Sequence, residues 1–351
     1  MLKRRKFFVY GEKMKGWNLT KPFNLIEQEI TENETVEASS KVRIVKALLT
    51  LADVLRYNGN VDTENVVLGS SGIGIVSETD TNLFDLKKGK HIYIESNQEC
   101  NECYNCKSGK FSKCIKPLTA GEDYNGFLTD FISVATNKSF VLPDNVTDVE
   151  ALFIDQISLA LSVIDKLEIQ KGDYVTIVGA NNLGVILAQL LIYYQSVPII
   201  VSNDEEDCQI ARDSGIYYVL GPDDNWQKEI AVITSHRMCS KVVYISDCGV
   251  QIAKGFALAS HGASIAYTGV SNKANSFSFV PAVKKQLTIL CINNGFGNTE
   301  ASINLLANKV INFSNLKINT VKYQDVPSEL EAMNALFEET GKVRDTIVEM
   351  I

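Results

Sequence analysis

Four cysteines in one short polar stretch are the residues best suited to chemistry in this sequence. Cys100, Cys103, Cys106 and Cys114 follow the pattern C-x2-C-x2-C-x7-C in ESNQECNECYNCKSGKFSKC. Four thiolates so spaced can surround one zinc ion at about 2.3 Å in a closed tetrahedral site. A redox or disulfide cluster is the alternative, and the long last spacing disfavours an iron–sulfur cluster. A closed site leaves no position for a substrate, so we expect one structural zinc in residues 96–116 and catalysis elsewhere.

A second chemically suggestive feature is the turn GANNLG, which follows the apolar run YVTIV and opens a helix-like segment. A phosphate-binding G-x-G-x-x-G turn is expected at such a place. Asn181 replaces the middle glycine, and its side chain restricts the approach of a pyrophosphate. We therefore predict a weak NAD(H) site formed by Gly179, Asn181, Leu183 and Gly184. A strand-to-helix turn without a ligand is the alternative.

The next predicted strand ends in Ser202, where an acid commonly binds the adenosine ribose. Asn203 and four acidic residues follow, with no Arg or Lys nearby in the sequence. Four carboxylates would repel a 2′-phosphate, so this segment favours the phosphate-free dinucleotide. Alternatively, the acidic run simply begins the next helix, where carboxylates complement the helix dipole.

The elements that must position this turn form an alternating pattern of strands and helices after about Lys171. Six apolar runs rich in β-branched residues are predicted as strands: YVTIV (174–178), VPIIVS (197–202), YYVL (217–220), KVVYIS (241–246), ASIAYT (263–268) and LTILCI (287–292). Helical periodicity between the first five predicts a doubly wound parallel sheet in an α/β fold. Before Lys171, short strands such as KVRIVKAL and FLTDFISV with glycine-rich turns predict a mostly β domain.

The predicted domain organisation has three parts. Residues 1–155 form the β-rich domain, and residues 156–295 form the doubly wound domain. Residues 296–351 contain a helix, a strand, a helix and a strand, and we expect them to pack back on the first domain.

Composition narrows the class of protein. The chain has 351 residues, of which 45% are hydrophobic and 22% charged, and its formal net charge is −8. An acidic chain without a basic stripe is not expected to bind nucleic acid. No apolar run is long enough for a membrane span or signal peptide, so we expect a cytoplasmic protein. Scattered buried or surface thiols fit a reducing compartment; they are Cys208, Cys239, Cys248 and Cys291.

These features resemble the medium-chain, zinc-type alcohol dehydrogenase family, of the sorbitol and threonine dehydrogenase kind. The most specific segment is GKHIYIESNQECNECYNCKSGKFSKC, supported by GEDYNGFLTDFISV, KLEIQKGDYVTIVGA and KKQLTILCINNG. The resemblance covers nearly the whole chain. It implies a GroES-like β domain, a Rossmann domain, a nicotinamide cofactor, a small-molecule substrate and a homo-oligomer as a candidate assembly.

The same resemblance implies that the catalytic zinc site of the family is lost. In that family a Cys, a His-Glu pair and a further acid or Cys hold the metal. Thr50 stands at the Cys position, Ala52 at the relay hydroxyl, and Ser70 and Ser71 at the His-Glu pair. Asp155 alone keeps a side chain able to bind a metal. Hydroxyls and one carboxylate do not hold zinc against water.

Three histidines offer no replacement. His91 is expected in a strand beside the cysteine cluster, His236 in a polar loop, and His261 at a helix end. Each is interpreted as structural.

Two functional hypotheses follow. The first is an oxidoreductase without catalytic zinc, whose pocket is lined by Thr50, Ser70, Ser71 and Asp155 and which moves hydride between a nicotinamide and an activated small substrate. The second is a non-catalytic, zinc-stabilised binding or scaffold protein. A conventional zinc alcohol dehydrogenase is the least favoured reading.

Overall fold

The computed structural model describes residues 13–31, 40–79, 86–246, 248–269 and 278–350. The chain divides into two compact units. Unit 1 comprises Met1–Phe153, Asn319–Asn334 and Asp345–Ile351, and unit 2 comprises Ile154–Ile318 and Ala335–Arg344. Strands and helices are numbered along the chain.

Unit 1 is mostly β, as predicted. Its strands are β1 (Lys13–Lys21), β2 (Asn24–Thr31), β3 (Ser40–Leu49), β4 (Val66–Val67), β5 (Ser71–Thr79), β6 (His91–Ile94), β7 (Asn97–Gln98), β8 (Leu118–Thr119), β9 (Phe131–Val134), β10 (Ser139–Val141), β17 (Ile318–Lys322) and β18 (Asp345–Glu349). Its helices are α1 (Leu51–Tyr57), α2 (Tyr104–Lys107) and α3 (Asp148–Ala151). The central sheet has the order β10-β6-β5-β3-β18-β17, with β9 also paired to β3, beside smaller sheets β2-β1-β4 and β7-β8.

The pairing of β3 with β5 sets the geometry of unit 1. Val42 and Ile44 of β3 are buried, whereas the alternating residues Lys41 and Arg43 are half-buried, as expected for a strand with one core face. A Cβ on Gly74 of β5 would lie 2.3 Å from Val42 Cγ1, so only glycine permits this approach. The predicted strand KVRIVKAL is confirmed, and it places the following helix α1 beside the start of β5.

Unit 2 contains the predicted doubly wound sheet. Its strands are β11 (Tyr174–Val178), β12 (Val197–Val201), β13 (Tyr218–Leu220), β14 (Cys239–Ile245), β15 (Ala259–Thr268) and β16 (Thr288–Ile292). Its helices are α4 (Ile154–Lys166), α5 (Asn182–Tyr193), α6 (Glu205–Asp213), α7 (Trp226–Ile233), α8 (Ile252–Leu258), α9 (Val280–Lys284) and α10 (Thr299–Ala307). All pairs in the order β13-β12-β11-β14-β15-β16 are parallel, which confirms the six predicted strands. The order reverses beside β11, and such a reversal opens a ligand crevice at the carboxyl ends of the strands.

The histidines have ordinary structural environments, with one change from the prediction. His91 begins β6, and its Nδ1 lies 2.8 Å from Asp148 Oδ1. His236 lies in the loop before β14. His261 is not at a helix end but is exposed in β15, because α8 stops at Leu258 and Ala259 is already extended.

The C-terminal part returns to unit 1 later than predicted. Helix α10 stays in unit 2 beside α4, where Ser302 Oγ lies 2.8 Å from Ser158 Oγ. Strands β17 and β18 join the central sheet of unit 1, and helix α11 (Val326–Thr340) contributes residues to both units. Among the described residues, no helix combines the length and apolar character needed to cross a bilayer.

Candidate functional site

The four cysteines of the lobe converge on one point. Their Sγ atoms all lie within 4.8 Å of one another, with separations of 3.4 Å for Cys100 and Cys114, 3.5 Å for Cys103 and Cys106, and 3.9 Å for Cys100 and Cys106. A tetrahedral zinc site with bonds of about 2.3 Å separates its sulfur atoms by about 3.8 Å. These three separations lie within about 0.4 Å of this value, so the four cysteines fit the ligand set of one zinc ion.

Backbone N–H groups favour the thiolate form of two of these cysteines. N–H groups of Ile115 and Cys106 lower the pKa of Cys103 to about 6, and those of Glu102 and Cys103 lower the pKa of Cys100. Burial instead raises the pKa of Cys106 to about 12. A zinc ion favours the thiolate at all four positions because a thiolate is the metal-binding form.

The base of the lobe is anchored by a buried lysine. Lys138 is 8% exposed, and its Nζ lies 2.7 Å from both Glu95 Oε2 and Glu99 Oε2. Burial alone would lower the pKa of Lys138, but hydrogen bonds to the two carboxylates outweigh it and raise the pKa. Glu99 precedes Cys100, so this ion pair fixes the start of the loop.

Thr50 and Ser70 converge on one buried carboxylate, that of Asp53. Thr50 Oγ1 accepts a hydrogen bond from the Ala52 N–H at 3.2 Å, and the Asp53 carboxylate accepts one from the Thr50 N–H at 3.0 Å. These contacts belong to a capping box at the start of α1. Asp53 is fully buried and also accepts hydrogen bonds from Ser70 Oγ at 2.8 Å and the Gly69 N–H at 3.0 Å. The carboxylate thus joins the two predicted positions.

Arg56 supplies a positive charge at the same place. Its Nη1 donates to Ser70 Oγ at 2.8 Å and lies 3.7 Å from Asp53 Oδ1, and its Nη2 lies 3.1 Å from Glu122 Oε2. A guanidinium only donates and a carboxylate only accepts, so Ser70 must accept from Arg56 and donate to Asp53. We call Asp53, Arg56, Ser70 and Glu122 the Arg56 cluster. Two carboxylates and one guanidinium give it a net negative charge.

The other two predicted pocket residues, Ser71 and Asp155, lie on β5 of unit 1 and on α4 of unit 2. Ser71 begins β5, is 2% exposed, and donates its hydroxyl hydrogen to Leu152 O at 3.2 Å. Asp155 is the second residue of α4 and belongs to unit 2. Within unit 1 the structure therefore brings together Thr50 and Ser70, through Asp53.

The residues of unit 1 at these positions do not fit a catalytic zinc. In the part of the chain that the structure describes, the group of His, Cys, Asp or Glu able to hold a metal is the cysteine cluster. Thr50 and Ser70 offer neutral hydroxyls, which are poor zinc ligands.

The glycine turn of unit 2 has the backbone of a phosphate-binding turn, but one of its own side chains caps the helix that follows. Gly179 has φ of 121°, and a Cβ on Gly184 would lie 2.3 Å from Gly179 O. Asn181 is the N-cap of α5, and its Oδ1 accepts a hydrogen bond from the Gly184 N–H at 3.1 Å. The Gly184 N–H, which could otherwise donate a hydrogen bond to an anion at the helix N-terminus, is therefore already bound to this amide oxygen. Leu183, the second residue of α5, is half-buried.

Ser202 is not available as a free ribose ligand. It is 1% exposed, and its Oγ accepts a hydrogen bond from the Asp204 N–H at 3.2 Å. Asp204 is the N-cap of α6, which accepts hydrogen bonds from the N–H groups of Glu206 and Asp207. The interpretation of the acidic run as a helix start is confirmed.

Basic side chains from distant parts of the chain neutralise this acidic run, which corrects the expectation that none lies near it. Lys342 Nζ lies 2.6 Å from Asp204 Oδ2 and 2.8 Å from Asp207 Oδ2. The remaining acids are paired as well: Glu206 with Lys317 at 2.9 Å and Glu205 with Arg212 at 2.6 Å. Paired carboxylates repel an added phosphate much less than free ones.

Several residues of these sites could not be found by reading motifs. Arg56, Glu122 and Lys342 act through contacts between segments that are 66 to 138 positions apart in sequence. One local signal existed, because Thr50 followed three residues later by Asp53 is a capping-box pattern.

The sequence is similar to one family model and to several known proteins. Residues 37–144 match the family model of the alcohol dehydrogenase GroES-like domain. A zinc-type alcohol dehydrogenase-like protein of Haemophilus influenzae is 24% identical over 321 residues, covering 90% of this chain and 94% of that protein. D-xylulose reductase A of Aspergillus oryzae is 21% identical over 278 residues, covering 77% of this chain and 78% of that protein.

Solved structures share the fold. A short chain alcohol dehydrogenase of Escherichia coli CFT073 complexed with NADH has a TM-score of 0.82 at 20% identity, covering 97% of this chain and 100% of that one. A protein of Sinorhizobium meliloti 1021 bound to NADP has a TM-score of 0.83 at 19% identity, with the same coverage. The predicted combination of a GroES-like domain with a Rossmann-like parallel sheet is confirmed.

Proposed function

We propose that this zinc-type alcohol dehydrogenase-like protein is an NAD(P)-dependent oxidoreductase that acts on a small activated substrate without a catalytic zinc. Its relatives include a named reductase, and solved neighbours hold NADH or NADP. These likenesses support the reaction class and the cofactor class. The substrate type, the homo-oligomer suggested by the sequence and the empty catalytic metal position are our proposal.

The observation that carries the proposal is the first crossover of unit 2, from β11 through the glycine turn to α5. Gly179 and Gly184 bring the start of α5 close to the carboxyl end of β11, at the reversal of strand order. This is where dinucleotides bind in doubly wound sheets, with the pyrophosphate at the helix N-terminus. A bound nicotinamide dinucleotide would supply or accept the hydride.

The side chains of unit 1 favour a substrate that needs no Lewis acid. Ser70 already donates its hydrogen to Asp53, and the Arg56 cluster has net negative charge, so neither stabilises a developing alkoxide as a metal would. Thr50 Oγ1 is 3.5 Å from Asp53 Oδ2, a long contact that leaves its hydrogen available. We assign Thr50 as the proton donor.

Two substrate types meet this condition. In a conjugated enone, hydride adds to the β-carbon and the electron pair of the C=C bond moves to form the enolate. Thr50 then donates a proton to the α-carbon while it takes one from a water molecule, so the Thr50 hydroxyl is restored and hydroxide leaves to solvent. In an iminium ion, hydride adds to carbon, the π electrons move to nitrogen, and the neutral amine forms without a proton donor. The enone therefore takes up one hydride and one proton, and the iminium ion takes up one hydride.

A non-catalytic binding protein is the second candidate. The Asn181 cap favours it, because the helix N-terminus satisfies one of its own donors without a phosphate. In this case the fold would be retained for binding or scaffolding.

Titration of NADH and NADPH by intrinsic fluorescence, followed by turnover assays, tests the proposal. We expect saturable binding of a dinucleotide, reduction of 2-cyclohexenone or a cyclic iminium ion, and no useful oxidation of ethanol, sorbitol or threonine. Binding of neither dinucleotide would favour the scaffold protein. Alcohol oxidation that is lost on metal removal and restored by added zinc would contradict the metal-free part.

A further inference from the structure

Lys254 lies where three segments of unit 2 meet at the carboxyl edge of the sheet. Its Nζ is 3.5 Å from Asn203 Oδ1 and 4.8 Å from the centre of the Trp226 ring. Asn203 follows β12, Trp226 begins the helix after β13, and Lys254 is on the helix after β14. The amine is therefore held at the end of the second strand of the crossover.

This position corresponds to the adenosine half of a dinucleotide crevice. In doubly wound sheets the ribose hydroxyls, or the 2′-phosphate that replaces one of them, lie beside the end of the second strand. Asn203 is the residue after Ser202, and both Asn203 and Lys254 are exposed. A ligand at this edge can reach the amine without displacing core residues.

Lys254 differs from the other cations near this edge in its partners. Within the described residues, no carboxylate oxygen lies within 4 Å of its Nζ, whereas Lys317 and Lys342 each contact two carboxylates and Arg212 contacts one. The partners of Lys254 are an amide oxygen and the face of an indole ring, which hold an ammonium without neutralising it. The four acids that follow Asn203 are each paired with Lys342, Lys317 or Arg212, which weakens their repulsion of an anion.

We infer that Lys254 is a specificity-determining residue that binds the 2′-phosphate of NADP(H). The inference rests on the proposed dinucleotide function and reverses the cofactor preference expected from the acidic sequence alone. Ser202 and Asn203, which follow β12, both lack the carboxylate that would accept ribose hydroxyls and repel the phosphate. The protein then binds NADPH more tightly than NADH.

Substitution Lys254→Met tests this directly. Loss of a charge-assisted hydrogen bond to phosphate should weaken NADPH binding about tenfold and change NADH binding by less than about twofold. Raising the salt concentration should weaken NADPH binding more in the wild type than in the variant. Lys166→Met is the matched control, since Lys166 is an exposed lysine at the end of α4, before β11, away from the carboxyl edge.

A second pair of substitutions should change the preference between NADH and NADPH and not merely weaken binding. Asn203→Asp places a carboxylate beside Lys254 and should favour NADH over NADPH, while Lys254→Arg should keep the NADPH preference. Equal affinity of the wild type for both dinucleotides, or an equal loss for both in Lys254→Met, overturns the inference but leaves a functional NADH-dependent oxidoreductase possible. If neither dinucleotide binds, both this inference and the proposed function are wrong.

Discussion

Ser70 Oγ accepts a 2.8 Å hydrogen bond from Arg56 and donates one of 2.8 Å to Asp53. Ser70 is therefore part of a complete hydrogen-bonded chain in which both of its neighbours are charged. Arg56 is 4% exposed in its side chain and Asp53 is 0% exposed, so both charges depend on this chain for their solvation.

Arg56→Met should therefore destabilise unit 1 strongly. The substitution leaves the Asp53 charge buried without its cation, and we expect the free energy of unfolding to fall by about 3 kcal/mol in urea denaturation. Arg212→Met removes a surface ion pair with Glu205 and should cost less than about 1 kcal/mol. Adding Asp53→Asn to Arg56→Met should recover part of the loss. A cost for Arg56→Met no larger than that for Arg212→Met contradicts the role of the cluster.

More of the fold than of the candidate sites could be predicted from the sequence. The six strands of unit 2 were predictable because each is an apolar run rich in β-branched residues, and β11 and β12 are buried on both faces over most of their length. The cysteine lobe was predictable because the spacing of its cysteines limits its chemistry. His261 was placed wrongly because the helix-like run around it ends at Leu258, where an extended backbone begins. Lys342 and Arg56 could not be predicted as partners of Asp204 and Glu122, since these contacts depend on the folded chain.

Asn181→Gly should tighten dinucleotide binding. Removing the side chain frees the Gly184 N–H for a pyrophosphate and lets the ligand approach the backbone. Replacing an N-cap Asn by Gly costs only a few tenths of a kcal/mol of stability, so the fold should persist. We expect the Kd of the preferred dinucleotide to fall severalfold in fluorescence titration. Thr147→Gly, at the N-cap of α3, controls for the loss of a cap. Unchanged or weaker affinity in Asn181→Gly would show that the carboxamide does not obstruct the ligand.

Lys342→Met should destabilise unit 2 in a pH-dependent manner. Burial alone would raise the pKa of Asp204, but the hydrogen bonds from Lys342 and the Asp207 N–H, together with the charges of Lys342 and Lys317, outweigh it and lower the pKa. A lowered pKa in the folded state stabilises the protein above the ordinary aspartate pKa, and this contribution is lost as pH falls through the lowered value. At pH 7 we expect a loss of about 1 kcal/mol, which should shrink below about pH 4.

The control for Lys342→Met is Lys46→Met, which breaks the more exposed pair with Glu349. Chemical denaturation at several pH values compares the two variants with the wild type. A loss for Lys342→Met that stays constant down to about pH 3 would mean that Asp204 does not report on this lysine.

Cys103→Ser should release the structural metal and unfold only the lobe. Residues 96–116 are mostly polar, and their four cysteine Sγ atoms lie close together. The free energy of metal binding therefore stabilises the folded conformation of this loop. Purified wild type should contain one zinc per chain by elemental analysis, and the variant should contain almost none. Limited proteolysis should then cut the variant within the lobe and leave unit 2 intact. Cys291→Ser is the matched control, since Cys291 is exposed on β16 and outside the cluster. Two zinc ions per chain in the wild type would contradict the proposal of an oxidoreductase without catalytic zinc. A Cys103→Ser variant that keeps its zinc and resists cleavage would show that the four cysteines do not form the metal site.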